Sequence, residues 1–108
     1  MKIKGIINEA SDMDNRTLLK TKRDMILEAA KRHGARNVRI FGSTARGEDD
    51  SQSDIDFLVD LEPGRSILDH ASLLLELQQL LGPKVDVVSE RGIKNRIRGR
   101  ILREAIPL

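Results

Sequence analysis

Ile40-Phe41-Gly42-Ser43-Thr44-Ala45-Arg46-Gly47-Glu48-Asp49-Asp50-Ser51-Gln52-Ser53-Asp54-Ile55-Asp56-Phe57-Leu58-Val59-Asp60 is the stretch that decides the fold of this 108-residue chain. It runs from a strand end through a tight Gly-Ser turn and an acidic loop into a second strand that carries Asp54 and Asp56. Side chains alternate faces along a strand, so these two carboxylates share one face while Ile55, Phe57 and Val59 share the other. One face is then a pair of oxygen ligands suited to a divalent cation, and the other is core. Gly42 has no Cβ to keep a phosphate from the backbone, and Ser43 adds a hydroxyl at the same place. One end of the stretch suits phosphate and the other suits metal.

Outward from this stretch, Arg36 to Phe41 reads as the first strand of a sheet. Asn15 to His33 reads as the helix before it, with Leu18, Leu19, Met25, Ile26, Ala29 and Ala30 at helical intervals. Asp14 or Asn15 is its N-cap and Gly34 its stop. Thr44 to Glu48 has room for one helical turn, and Asp49 to Ser53 forms a polar loop. The second strand, Asp54 to Leu61, ends at the turn Glu62-Pro63-Gly64.

Ser66 to Leu81 is the clearest helix. Asp69, Ser72, Glu76 and Gln79 make a narrow polar stripe, and leucines fill most of the rest. So wide an apolar arc exceeds what one sheet face covers, so a second helix or a partner protein must pack on it. Gly82-Pro83 ends the helix, and Lys84 to Ser89 gives a third strand with Asp86 isolated among valines. In Arg91 to Leu108, Ile93, Ile97, Ile101 and Ala105 form an apolar seam among arginines, with Gly99 placed to break the helix in two and Pro107 to end it. Residues 1–14 read as an N-terminal arm to which the sequence gives no role, and residues 15–108 as the domain.

Length and composition bound the rest. A chain of 108 residues makes one modest core, too small for a catalytic domain plus a separate substrate domain. Net charge is only +2, so bulk electrostatics do not argue for nucleic acid. The distribution is uneven: residues 48–62 hold seven acids and no base, and residues 91–103 six bases and no acid. No cysteine is present, which excludes disulfides and thiolate metal sites. No apolar run is long enough for a signal peptide or a membrane span, so the expected location is the cytoplasm and no membrane partner is expected.

The spacing Gly42-Ser43, ten residues, Asp54-Ile55-Asp56, with Ala45-Arg46-Gly47 between and the isolated Asp86 after, resembles the signature of the polymerase-β-like nucleotidyltransferases. The stretch is most similar to their minimal single-domain members, the MNT antitoxins paired with HEPN toxins, and the resemblance runs from about Val38 to the C-terminus. It implies an α/β (α+β) fold: a single nucleotidyltransferase domain with a small mixed sheet, helices packed mainly on one side, and the carboxylates at an open edge. It implies a Mg²⁺-dependent enzyme with ATP as nucleotidyl donor. The expected role is the antitoxin of a type VII HEPN/MNT pair, moving AMP to a tyrosine hydroxyl of the cognate HEPN ribonuclease toxin, with which it forms a hetero-oligomer.

That chemistry expels pyrophosphate from a nucleoside triphosphate, so negative charge must be neutralised on both the attacking and the leaving oxygen, a task suited to two Mg²⁺ ions. Hard cations take oxygen ligands. Asp54 and Asp56 supply the shared ones and Asp86 the third if its strand lies beside theirs; by resemblance the metal nearer the attacking hydroxyl is held by all three, and Asp86 is the candidate general base. By the same resemblance Ser43 and the backbone N–H groups around Gly42 bind the β,γ-phosphates. Arg46 pairs with the triphosphate or lines the substrate's entrance.

Each feature also has a plain reading: a turn, a solvated strand edge, a surface arginine. Asp49, Asp50 and Asp60 read as solvated loop charges. The segment Gly42 to Gly47 lacks the Lys-Ser/Thr of a P-loop, and no GxGxxG is present. Two other functions stay open: an antitoxin that neutralises by binding alone, and a transferase subunit acting on a small molecule or RNA. With two Phe and no Tyr or Trp for base stacking, nucleic acid is not expected for this chain alone.

Overall fold

The computed structural model describes residues 14–50 and 52–108. The chain enters through helices α1 (Asn15–Thr21) and α2 (Arg23–Arg32), then forms strand β1 (Ala35–Phe41) and the short helix α3 (Gly42–Arg46). Strand β2 (Ile55–Leu61), helix α4 (Ile67–Leu81) and strand β3 (Val85–Ser89) follow. A 3₁₀ turn (Glu90–Gly92), helix α5 (Asn95–Glu104) and strand β4 (Ile106–Pro107) complete the fold. The sheet order is β3-β2-β1-β4, with β2 antiparallel to β1 and parallel to β3, so the expected small mixed sheet is present. A parallel pair requires a crossover, and α4 supplies it.

Strand β2 is an inner strand, and its sequence shows it. Ile55, Phe57 and Val59 are buried in the main core with Ile26, Ala29 and Ala30 of α2 and Leu73, Leu77 and Leu81 of α4. Leu58, on the opposite face, is equally buried in a smaller cluster with Ile93 and with Ile101 of α5. The helices therefore lie mainly on one side, and α5 covers the other. Burial of Phe57 alone stabilises the fold by about 3 kcal/mol.

Helix α4 starts from a capping box in which the Ser66 hydroxyl accepts from the Leu68 amide and the Asp69 carboxylate accepts from the Ser66 amide. Its broad apolar arc is shared: α2 and the sheet take Leu73, Leu77 and Leu81, while Ile67, Leu68 and Leu75 stay exposed.

Three expectations need correction. The helix read as Asn15–His33 is two, because Lys22 leaves helical geometry at φ −100°, ψ 8°. Asn15 and Arg16 of α1 reach the Thr44 hydroxyl and the Ala45 carbonyl of α3 while α2 packs on the sheet, and the break lets one segment serve both. Gly99 does not break α5, which is continuous from Asn95 to Glu104; the cost of a helical glycine, about 1 kcal/mol, is offset by burial of Ile101. Pro107 belongs to a two-residue strand, since Ile106 and Pro107 pair with Ile40 and Arg39 at the sheet edge, where a missing N–H is tolerated. Of the reading of residues 1–14 as an arm, only Asp14 lies within the described residues, and there it caps α1 by accepting from the Thr17 amide at 2.7 Å.

Candidate active site

The site forms where β1 ends, β2 begins and β3 runs alongside. Asp56 is the second residue of β2 and is paired in register with Phe41 of β1 on one side and Asp86 of β3 on the other. The parallel pairing of β2 and β3 therefore brings the isolated third carboxylate beside the Asp-x-Asp pair. Asp54 stands just ahead of the strand rather than within it, at the end of the acidic loop. Asp54 and Asp86 are exposed and Asp56 is half-buried.

This crowding has an electrostatic cost. Burial, then the negative charges of Asp86, Asp54 and Glu104, push the Asp56 carboxyl up to about 6, with Arg46 pulling the other way. Among the described residues, no three carboxylate or imidazole side chains converge into a ready-made metal cage. The Asp86 carboxylate accepts from the neighbouring Val87 amide at 2.9 Å.

Gly42 is the hinge of the arrangement. Its φ is +75°, and a Cβ built there would lie 2.5 Å from Asp56 Oδ2. Only glycine lets the β1–α3 turn pass this close to the carboxylate. Ser43 follows at the start of α3, half-buried, and its carbonyl accepts from the Glu48 amide at 2.9 Å, closing the turn. Arg46 ends the helix with its guanidinium toward the site: Nε donates to Glu48 Oε1 at 2.9 Å and Nη1 to Glu104 Oε2 at 3.0 Å. The other Glu104 oxygen accepts from the Gly42 amide at 3.0 Å.

Of the six residues singled out in the sequence, the structure sets Gly42 against Asp56 and places Asp54, Asp86 and Arg46 close enough to act on the Asp56 charge, while Ser43 follows Gly42 in the same turn. It also adds one that the sequence reading missed. Glu104 comes from the far end of the chain, and its only signal was that it is the first acid after the basic run 91–103. Asp50 is a loop residue as expected, accepting from the Gln52 amide at 2.8 Å. Asp60 is not a solvated loop charge. It lies in β2, held by Arg39 at 2.9 Å and Asn37 at 3.1 Å.

Comparison with known proteins identifies the family and the fold. Residues 23–108 match the nucleotidyltransferase domain family. The protein adenylyltransferase MntA of Thermococcus cleftensis is 40% identical over 79 residues, which are 73% of this chain and 80% of that protein. A solved structure provisionally named a minimal nucleotidyltransferase superposes with a TM-score of 0.80 at 55% identity, covering 91% of this chain and 99% of its own. A toxin-antitoxin structure solved with AMP-PNP shares the fold with a TM-score of 0.67 at 20% identity, over 78% of this chain and 69% of that one. A match across more than half the chain, with a relative this similar, assigns the family: this chain belongs to the nucleotidyltransferase domain family.

Proposed function

We propose that this protein is a protein adenylyltransferase, the antitoxin of a two-gene pair, which transfers AMP from ATP to a tyrosine hydroxyl of a HEPN ribonuclease toxin. The observation that carries this reading is the register of Asp56 beside Asp86, with the Gly42 backbone pressed against Asp56. The name of the Thermococcus cleftensis relative supports the activity.

The donor chemistry fits a hard divalent cation, because three carboxylates lie near one sheet end, where burial and then their mutual repulsion disfavour ionisation of Asp56. Asp54, Asp56 and Asp86 would hold Mg²⁺, two ions by analogy with related enzymes, which supplies positive charge for the attacking and leaving oxygens. The chain's own groups do the rest. Ser43 and the amides around Gly42 take the β,γ-phosphates, and Arg46 pairs with the same anion. Asp86 accepts the proton of the acceptor hydroxyl as its oxygen bonds to the α-phosphorus and pyrophosphate departs. The acceptor comes from another chain, and the exposed Ile67, Leu68 and Leu75 of α4 leave apolar surface for a partner.

That same surface favours one other reading, neutralisation of the toxin by contact alone. Intact-mass spectrometry separates the two. The toxin is incubated with this protein, Mg²⁺ and each nucleoside triphosphate in turn, with the Asp54→Asn/Asp56→Asn protein as control. A gain of nucleotide monophosphate units, seen only with intact carboxylates, supports transfer and names the nucleotide. A stable complex with no gain from either protein supports contact alone.

A further inference from the structure

Arg46 and the Gly42 amide, the two groups assigned above to the triphosphate, already hold an anion. Glu104 spans them with both carboxylate oxygens, each bond at 3.0 Å. This is not a loose surface contact. The Glu104 side chain is only 18% exposed, whereas Glu48, the other partner of Arg46, is 66% exposed. Nor is it a placement free of cost, since the Glu104 charge acts unfavourably on Asp56. Donors that hold a carboxylate by charge-assisted bonds can hold a phosphate oxygen by the same bonds.

We propose that Glu104 is an internal competitor for the triphosphate, occupying Arg46 and the Gly42 amide until a phosphate group replaces its carboxylate. This rests on the reading of the site given above. Glu104 closes α5, and its backbone is fixed on both sides: the Ala105 amide donates to the Ile101 carbonyl at 3.0 Å, and Ile106 pairs with Ile40. Release therefore requires only rotation of the side chain. Bound triphosphate and bound Glu104 exclude one another, so the apparent affinity for nucleotide is lowered by the fraction of molecules with Glu104 in place. Glu104 tunes that affinity and touches no reacting atom.

The test is the dissociation constant for ATP in Mg²⁺, measured by calorimetry on the full chain. Glu104→Gln keeps the size and an oxygen for the Gly42 amide but removes the charge. Its dissociation constant should fall about three- to tenfold. The same substitution in an Arg46→Gln background should give less than half of that gain, because the contested donor is gone. Equal gains in both backgrounds would mean general relief of negative charge and overturn the proposal. An unchanged or weaker affinity in Glu104→Gln would also overturn it, and would make Glu104 a residue that positions Arg46 for the substrate. Glu104→Asp, charged but too short to span both donors, carries the same expected tightening should Glu104→Gln fail to fold. Absence of triphosphate binding by the unmodified protein overturns both this proposal and the functional reading, whereas the preceding outcomes overturn this one alone.

Discussion

Arg39 and Arg46 are each gripped by two carboxylates, yet they do different work. Arg39, in the middle of β1, donates to Asp60 at 2.9 Å, to Glu90 at 3.0 Å and to the Asn37 carbonyl at 3.0 Å, and its side chain is 12% exposed. Arg46, one turn past the end of β1, donates to Glu48 and Glu104 and is 42% exposed. The first guanidinium is largely enclosed, and its three bonds tie β1, β2 and the 3₁₀ turn together. The second is open to solvent, and one of its partners arrives from the end of α5. The same pairing of residue types is a fastening where it is buried and an exchangeable contact where it is open.

Breaking the first should cost the most stability. Arg39→Met leaves Asp60 and Glu90 without their shared cation, and unfolding free energy should drop by about 2 kcal/mol. For a domain of this size that lowers the melting temperature by about 10 °C in calorimetry, with or without nucleotide. Gly42→Ala comes next, at about 1–2 kcal/mol, because a non-glycine residue must enter left-handed backbone against Asp56. That variant should also lose nucleotidyl transfer, since the displaced carboxylate is one of the proposed metal ligands.

A smaller effect is expected from pH, because solvent screens a carboxyl that is only half-buried. Asp56 is raised from 3.8 to about 6 in the folded chain, so between those values the folded state holds a proton that the unfolded state has released. Its contribution is most favourable below pH 4 and is lost as pH rises through 6. Urea titrations in chelator at pH 4 and 7 should show that loss, and Asp56→Asn should remove it from the profile. Smallest of all is Arg46→Met, expected to leave the melting temperature nearly unchanged because the pair is exposed and screened by solvent. If Arg46→Met melted as far below the unmodified protein as Arg39→Met, the contrast between the two arginines would collapse.

What could be read from the sequence follows the same division between local and distant. The alternation in Ile55 to Val59 announced β2 because each side chain reports its own face. The Gly42-Ser43 turn and the carboxylates stood at fixed spacing along one stretch. Asp86 needed only the parallel pairing of its strand. The break at Lys22 had no Gly or Pro to mark it and depends on Asn15 and Arg16 reaching α3. Strand β4 is two residues long and exists only because β1 offers an edge. Asp60 and Glu104 were misjudged or passed over for one reason: their partners, Arg39 and Arg46, lie 21 and 58 residues away. A carboxylate's role is set by the cation opposite it, and chain order does not say which cation that is.

If Asp54, Asp56 and Asp86 make one centre for nucleotidyl transfer, as proposed, each of the three carboxylates is needed. The most direct test follows label from the α-phosphate of ATP onto the toxin in the presence of Mg²⁺, using the unmodified protein and the single variants Asp54→Asn, Asp56→Asn and Asp86→Asn, each checked for an intact fold by circular dichroism. The unmodified protein should transfer label, and each folded variant should lose at least about a hundredfold. Transfer by a folded Asp56→Asn protein at the unmodified rate would contradict the proposed centre.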